Sequence, residues 1–74
     1  MKFIYTNHAN LRINQRELRK DQVEKAVSRP DKTLSSFKGR MIVQKNFENQ
    51  TIEVVYKTAA EEIIIITAYW LKER

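Results

Sequence analysis

Cysteine is absent from this chain, so neither a disulfide framework nor a thiolate metal site can substitute for core volume. Glycine and proline occur once each, at Gly39 and Pro30, which argues against disorder and long loops and excludes a glycine-rich phosphate loop. His8 is the only histidine, and no D-x-D cluster accompanies it, so metal catalysis is disfavoured and no cofactor is expected. The only serines, Ser28, Ser35 and Ser36, stand in no nucleophile-elbow setting. Long hydrophobic runs are also lacking. The longest, Ile63 to Ile66, is far too short to span a bilayer, and Met1 to Thr6 leads into polar residues unlike a signal peptide, so a cytoplasmic protein with no membrane attachment is expected.

Negative charge is the scarcer sign, with 9 Asp and Glu against 14 Lys and Arg and a net charge of +5. Such an excess favours polyanionic partners, because neutralising phosphates releases counterions, although many small basic proteins are merely well solvated. The 74 residues make one domain, 1–74, near the small end of what folds alone. Its core is thin, and self-association would bury more surface.

Read in order, Lys2 to Tyr5 is an edge strand or an extended lead-in, and Thr6 or Asn7 can cap a helix running to about Glu17. Turned by 100° per residue, this helix puts Asn10, Asn14 and Glu17 on a polar side. Ala9 and Ile13 form one apolar flank opposite, and Leu11 and Leu18 the other. His8, Arg12 and Arg16 fall between those flanks, so they are expected in an inward or cleft-facing arc that needs an acceptor from another element or from a bound anion. Asp21 to Glu24 has the D-x-x-E form of a capping box, Val23, Ala26 and Val27 supply an amphipathic stripe, and Pro30 stops the second helix.

From Asp31 the period becomes extended. Lys32 to Ser36 reads as a short edge strand, Phe37 to Gly39 as a turn, Arg40 to Phe47 as a strand and Glu48 to Gln50 as its turn. Thr51 to Thr58 follows, with Ile52, Val54 and Tyr56 on one face, and then Glu62 to Trp70, apolar on both faces as in a central strand. Leu71 to Arg74 reads as a polar tail. The expected fold is α+β, with two N-terminal helices packed on one face of a three- to four-stranded antiparallel sheet.

His8-Ala9-x-x-Arg12-x-x-x-Arg16 on the first helix, Leu18 with Val23, Pro30-Asp31, and Ile65-Ile66-Thr67-Ala68-Tyr69 on the last strand resemble the domain of unknown function 4258 family. These small proteins are commonly grouped with the RelE/barnase-like ribonuclease toxins. The resemblance spans nearly the whole chain and rests on the order and spacing of short motifs. It departs at Glu17 and Arg19, where the family usually carries a glycine and a capping serine. What it implies is a RelE/barnase-like fold with a ribonuclease-like site.

Attack of a 2′-hydroxyl on RNA needs a base near neutral pKa, cations for the phosphorane charge and an acid for the leaving oxygen. His8 suits the base, because imidazole titrates near ~6.5 in water. Arg12 and Arg16 suit the phosphate, which their planar forks grip bidentately. Tyr69 and Tyr56 are candidates for proton transfer or base stacking, and Thr67 can bind the phosphate or orient His8. Lys38, Arg40 and Lys45 can track an RNA backbone.

Each residue also has a plainer reading. The His/Arg stripe can bond strand carbonyls or Glu53, the tyrosines can be core or interface aromatics, the basic hairpin can be solvated surface, and Thr67 can be an ordinary strand residue. Two functions follow. One is a metal-independent endoribonuclease, the toxin of a toxin-antitoxin pair whose partners are RNA and an acidic antitoxin. The alternative is a non-catalytic RNA-binding or protein-interaction module of the same fold, or a homodimer formed through the Ile63 to Trp70 strand.

Overall fold

The computed structural model describes residues 2–35 and 38–71. Ser36, Phe37 and the tail 72–74, parts of the expected edge strand, turn and tail, lie outside them. The elements are β1 (Lys2–Tyr5), α1 (Asn7–Gln15), α2 (Lys20–Ser28), β2 (Lys32–Ser35), β3 (Met41–Phe47), β4 (Gln50–Ala59) and β5 (Glu62–Leu71). The strands form one sheet in the order β1-β5-β4-β3-β2.

The sheet is therefore five-stranded and mixed, where three or four antiparallel strands were expected: β1 runs parallel to β5, and every other pairing is antiparallel. Strands joined by tight hairpins must run antiparallel, but no hairpin ties β1 to its neighbour, and so it is free to dock parallel. β5 lies between β1 and β4, but β1 pairs only with Glu62 to Ile65, so among the described residues the edge of Ile66 to Leu71 has no strand beside it.

α1 begins where β1 ends. The Thr6 N–H donates to the Ile65 carbonyl at 3.2 Å, its hydroxyl donates to the Ile66 carbonyl at 3.2 Å, and the same oxygen accepts the Ala9 N–H at 3.0 Å as the helix cap. At the other end Glu17 turns left-handed (φ 56°) and the Leu18 N–H reaches the Ile13 carbonyl at 2.9 Å, a Schellman closure that carries Leu18 into the core. A glycine tolerates this conformation without the Cβ clash that Glu17 suffers. Glu17→Gly is expected to raise stability by about 1 kcal/mol, seen as a melting midpoint several degrees higher, ~4–8 °C for a domain of this size. An unchanged or lower midpoint would contradict the strain at this turn.

α1 buries only Ala9 and Ile13; Leu11, expected to form the second apolar flank, is 53% exposed. The inward arc is thus narrower than the helical projection suggested, and His8 and Arg16 stand exposed beside it with Arg12 half-buried. Their charges need no buried counter-ion. In α2 the capping partner is Gln22, which accepts the Arg19 N–H at 3.1 Å, whereas Glu24 instead receives the Tyr5 hydroxyl at 2.7 Å and ties α2 to β1. Burial, followed by the hydrogen bond and charge of Glu24, pushes the Tyr5 hydroxyl above the ordinary tyrosine range.

Both helices feed one core. Ala9, Ile13, Leu18, Val23 and Ala26 meet Val43, Ile52, Val54, Ile63, Ile65 and Ala68 on one face of the sheet, and Tyr56, Phe47 and Trp70 pack against them. The buried positions of β5 change phase midway. Val55 pairs with Thr67 but Tyr56 with Ile65, so Ile66 is an extra, unpaired residue, a β-bulge. Before it Ile63 and Ile65 face the helices; after it Ala68 and Trp70 do, and Thr67 and Tyr69 turn to the helix-free face.

Candidate functional site on the open sheet face

The helix-free face has two halves. Towards one end it is apolar, with Ile42, Val55 and Ile64 half-buried and Leu34 exposed. Towards the other it is polar, and here three strands align Gln44, Glu53 and Tyr69 side by side through the β3–β4 and β4–β5 registers. Gln44 Nε2 donates to Glu53 Oε1 at 2.8 Å, and the Tyr69 hydroxyl donates to Glu53 Oε2. Both oxygens of the carboxylate are thereby held in place.

Partial burial and then the hydrogen bond and charge of Glu53 push the Tyr69 hydroxyl up to about 12, while the nearby positive charge of Arg16 pulls it back. At neutral pH the phenol keeps its proton, which makes it a donor rather than a base. The start of α1 is tied to Ile65 and Ile66, and the helix packs against β5. Arg12 and His8, one and two turns back from Arg16 on the same stripe, are joined by a long hydrogen bond from Arg12 Nε to His8 Nε2 at 3.4 Å.

The structure aligns Thr67 and Tyr69 on the same sheet face, Thr67 half-buried opposite Val55, with the charge of Arg16 acting on Tyr69. It does not bring the other sequence-derived residues to this place. Tyr56 lies on the opposite face and packs against the core. Lys38 and Arg40 are exposed at the start of β3, while Lys45 sits about 16 Å further along the strand at ~3.3 Å per residue. There its ammonium donates to the Arg29 carbonyl at 2.9 Å and lies 3.8 Å from Asp31. Gln44 was missed by the sequence reading, and Glu53 figured there only as a counter-charge for the His/Arg stripe. A signal for both existed: a two-residue turn at Glu48-Asn49 pairs Phe47 with Gln50 and hence Gln44 with Glu53.

Among the described residues, no three His, Cys, Asp or Glu side chains converge on a point, and no helix is long and apolar enough to cross a membrane.

A small α+β protein with two helices packed on one face of a five-stranded mixed sheet has the fold seen in a known ribonuclease toxin. The crystal structure of the Brucella abortus ribonuclease toxin BrnT superposes with a TM-score of 0.75 over 99% of each chain, at 19% identity. Residues 5–70 match the domain of unknown function family DUF4258, and the chain belongs to that family. No curated protein matches it significantly.

Proposed function

We propose that the protein is a toxin-like endoribonuclease that cleaves RNA by internal attack of a 2′-hydroxyl, without a metal ion. The observation that carries this reading is the Tyr69–Glu53–Gln44 chain with Arg16 beside it, on a sheet face that no helix covers. His8 Nε2 takes the proton of the 2′-hydroxyl as its oxygen attacks phosphorus. Arg12 and Arg16 hold the phosphate and the negative charge that builds on it. Tyr69 gives its proton to the departing 5′-oxygen, and Arg16 favours the phenolate left behind, which regains a proton during turnover. Glu53 positions the phenol, and Thr67 hydrogen-bonds the phosphate. Lys38 and Arg40 extend the contact along the RNA backbone, and Tyr56 supports it from within the core. Such an enzyme works in the cytoplasm, where its RNA is, and a basic protein of this kind is held in check by an acidic antitoxin.

The fold shared with a ribonuclease toxin supports this reading, as does membership of the family. The apolar half of the open face, Ile42, Val55, Ile64 and Leu34, favours a second one, a protein-interaction module that docks an antitoxin or a second copy of the chain there. An RNA cleavage assay in EDTA separates them, run with wild type beside His8→Ala. Wild type is expected to cut, and the variant to be at least about tenfold slower with an unchanged melting curve. Intact RNA with wild type, together with a dimer mass in solution, would favour the interaction module.

A further inference from the structure

On the helix side of the sheet, away from Tyr69 and Glu53, a cleft of about 430 Å³ opens between α2 and the β3–β4 hairpin. Its volume falls in the range of small-ligand sites. Trp70 and Phe47 contribute half-buried rings set edge to face, with centroids 6.3 Å apart and an interplanar angle of 89°. Gln22 and Lys25 reach it from α2, and Gln50 from the start of β4.

The chemistry of these walls is specific. The Gln22 carbonyl oxygen is engaged by the Arg19 N–H, which fixes the side chain and leaves its amide N–H groups to donate. Lys25 is exposed and makes no ion pair among the described residues. Lys45 also lines the cleft, with its ammonium held by the Arg29 carbonyl and part of its charge offset by Asp31. Aromatic rings, amide groups able to read a polar ring edge, and the ammonium-bearing side chains of Lys25 and Lys45 in the lining, with Glu48 as its one acidic residue, match a base with its phosphate. An aliphatic ligand would leave the amides unpaired, and an anion without a ring would leave the indole wet.

We infer that this cleft is a nucleotide subsite that takes one base and one phosphate of single-stranded RNA. Trp70 and Ile52 pair across β4 and β5 on the core side, whereas Tyr69 and Glu53 pair on the other. Binding in the cleft is therefore separate from cleavage and stands whether or not the open face is catalytic. A strand held in both places passes around the C-terminal end of β5.

Trp70 is the only tryptophan, so its fluorescence reports on the cleft alone. Titration with 5′-AMP and with a short oligoadenylate is expected to quench it saturably, with adenosine weaker and inorganic phosphate silent. Lys25→Ala is expected to weaken 5′-AMP by about tenfold, and added salt to do likewise. His8→Ala is expected to bind as wild type does. Both substituted residues are exposed, so folding is preserved, and a circular dichroism melt checks it. The inference is overturned if neither nucleotide quenches Trp70, if inorganic phosphate quenches it as well as 5′-AMP does, or if a folded Lys25→Ala variant binds unchanged.

Discussion

Ile65→Ala is expected to remove about 3–4 kcal/mol of folding stability, within the range for truncating a fully buried isoleucine. Ile65 is completely buried at the middle of β5, paired with Tyr5 of β1 on one side and Tyr56 of β4 on the other, and its carbonyl receives the first N–H of the helix entry. Truncation leaves a cavity where the sheet, α1 and the bulge meet, and little around it can collapse, because both neighbouring strands are held by their own registers. At ~0.05–0.15 kcal/mol per residue, a chain of this length has roughly 4–11 kcal/mol in all, so the loss is a large share of the total. Ile64→Ala, one residue away but on the open face, is expected to cost about 1 kcal/mol or less. Urea unfolding followed by circular dichroism decides this. Equal midpoint shifts for the two variants would mean that the open face is covered and the assignment of faces is wrong.

Tyr69→Phe is expected to slow RNA cleavage by about 10²-fold while the ring, and hence the packing, is retained. The variant removes the proton that Tyr69 is proposed to give to the leaving oxygen and, among the described residues, leaves Glu53 with Gln44 alone as side-chain partner. A second signature is thermodynamic. The hydroxyl titrates at about 12 in the folded protein against ~10 for tyrosine in an unfolded chain. Its raised value means that the native state binds this proton more tightly. The stability linked to it is whole below pH ~10 and is lost as pH rises towards 12. Tyr69→Phe should flatten that part of the alkaline decline, and Tyr5, raised in the same direction, should account for a further part. A folded Tyr69→Phe enzyme that cuts RNA at the wild-type rate, beside an impaired His8→Ala, would show that the leaving oxygen takes its proton from another group.

Much of this architecture is set by local chemistry. Thr6 caps a helix because its hydroxyl suits the free N–H of Ala9, Pro30 follows a helix it cannot continue, and the alternation of Ile52, Val54 and Tyr56 puts all three on one face. The spacing of His8, Arg12 and Arg16 places them on one stripe of α1 for the same reason, that a helix repeats every 3.6 residues. Each of these depends on residues a few positions apart, and the sequence alone determines it.

The place of the stripe relative to the sheet, and the makeup of the face it meets, were decided only in three dimensions. Counting by twos from Ile63 and Ile65 would send Thr67 and Tyr69 into the core, and the hairpin turn at Ala60-Glu61 would set Glu53 opposite Ala68. The bulge at Ile66 shifts the register by one residue, so Ala68 goes inward and Tyr69 arrives beside Glu53 on the open face. A bulge leaves no mark in a run of isoleucines, because each of them is equally content on either face of a strand. It is fixed instead by long-range partners: the cross-strand registers, the Thr6 hydroxyl on the Ile66 carbonyl, and the demand of the core for the small side chain of Ala68.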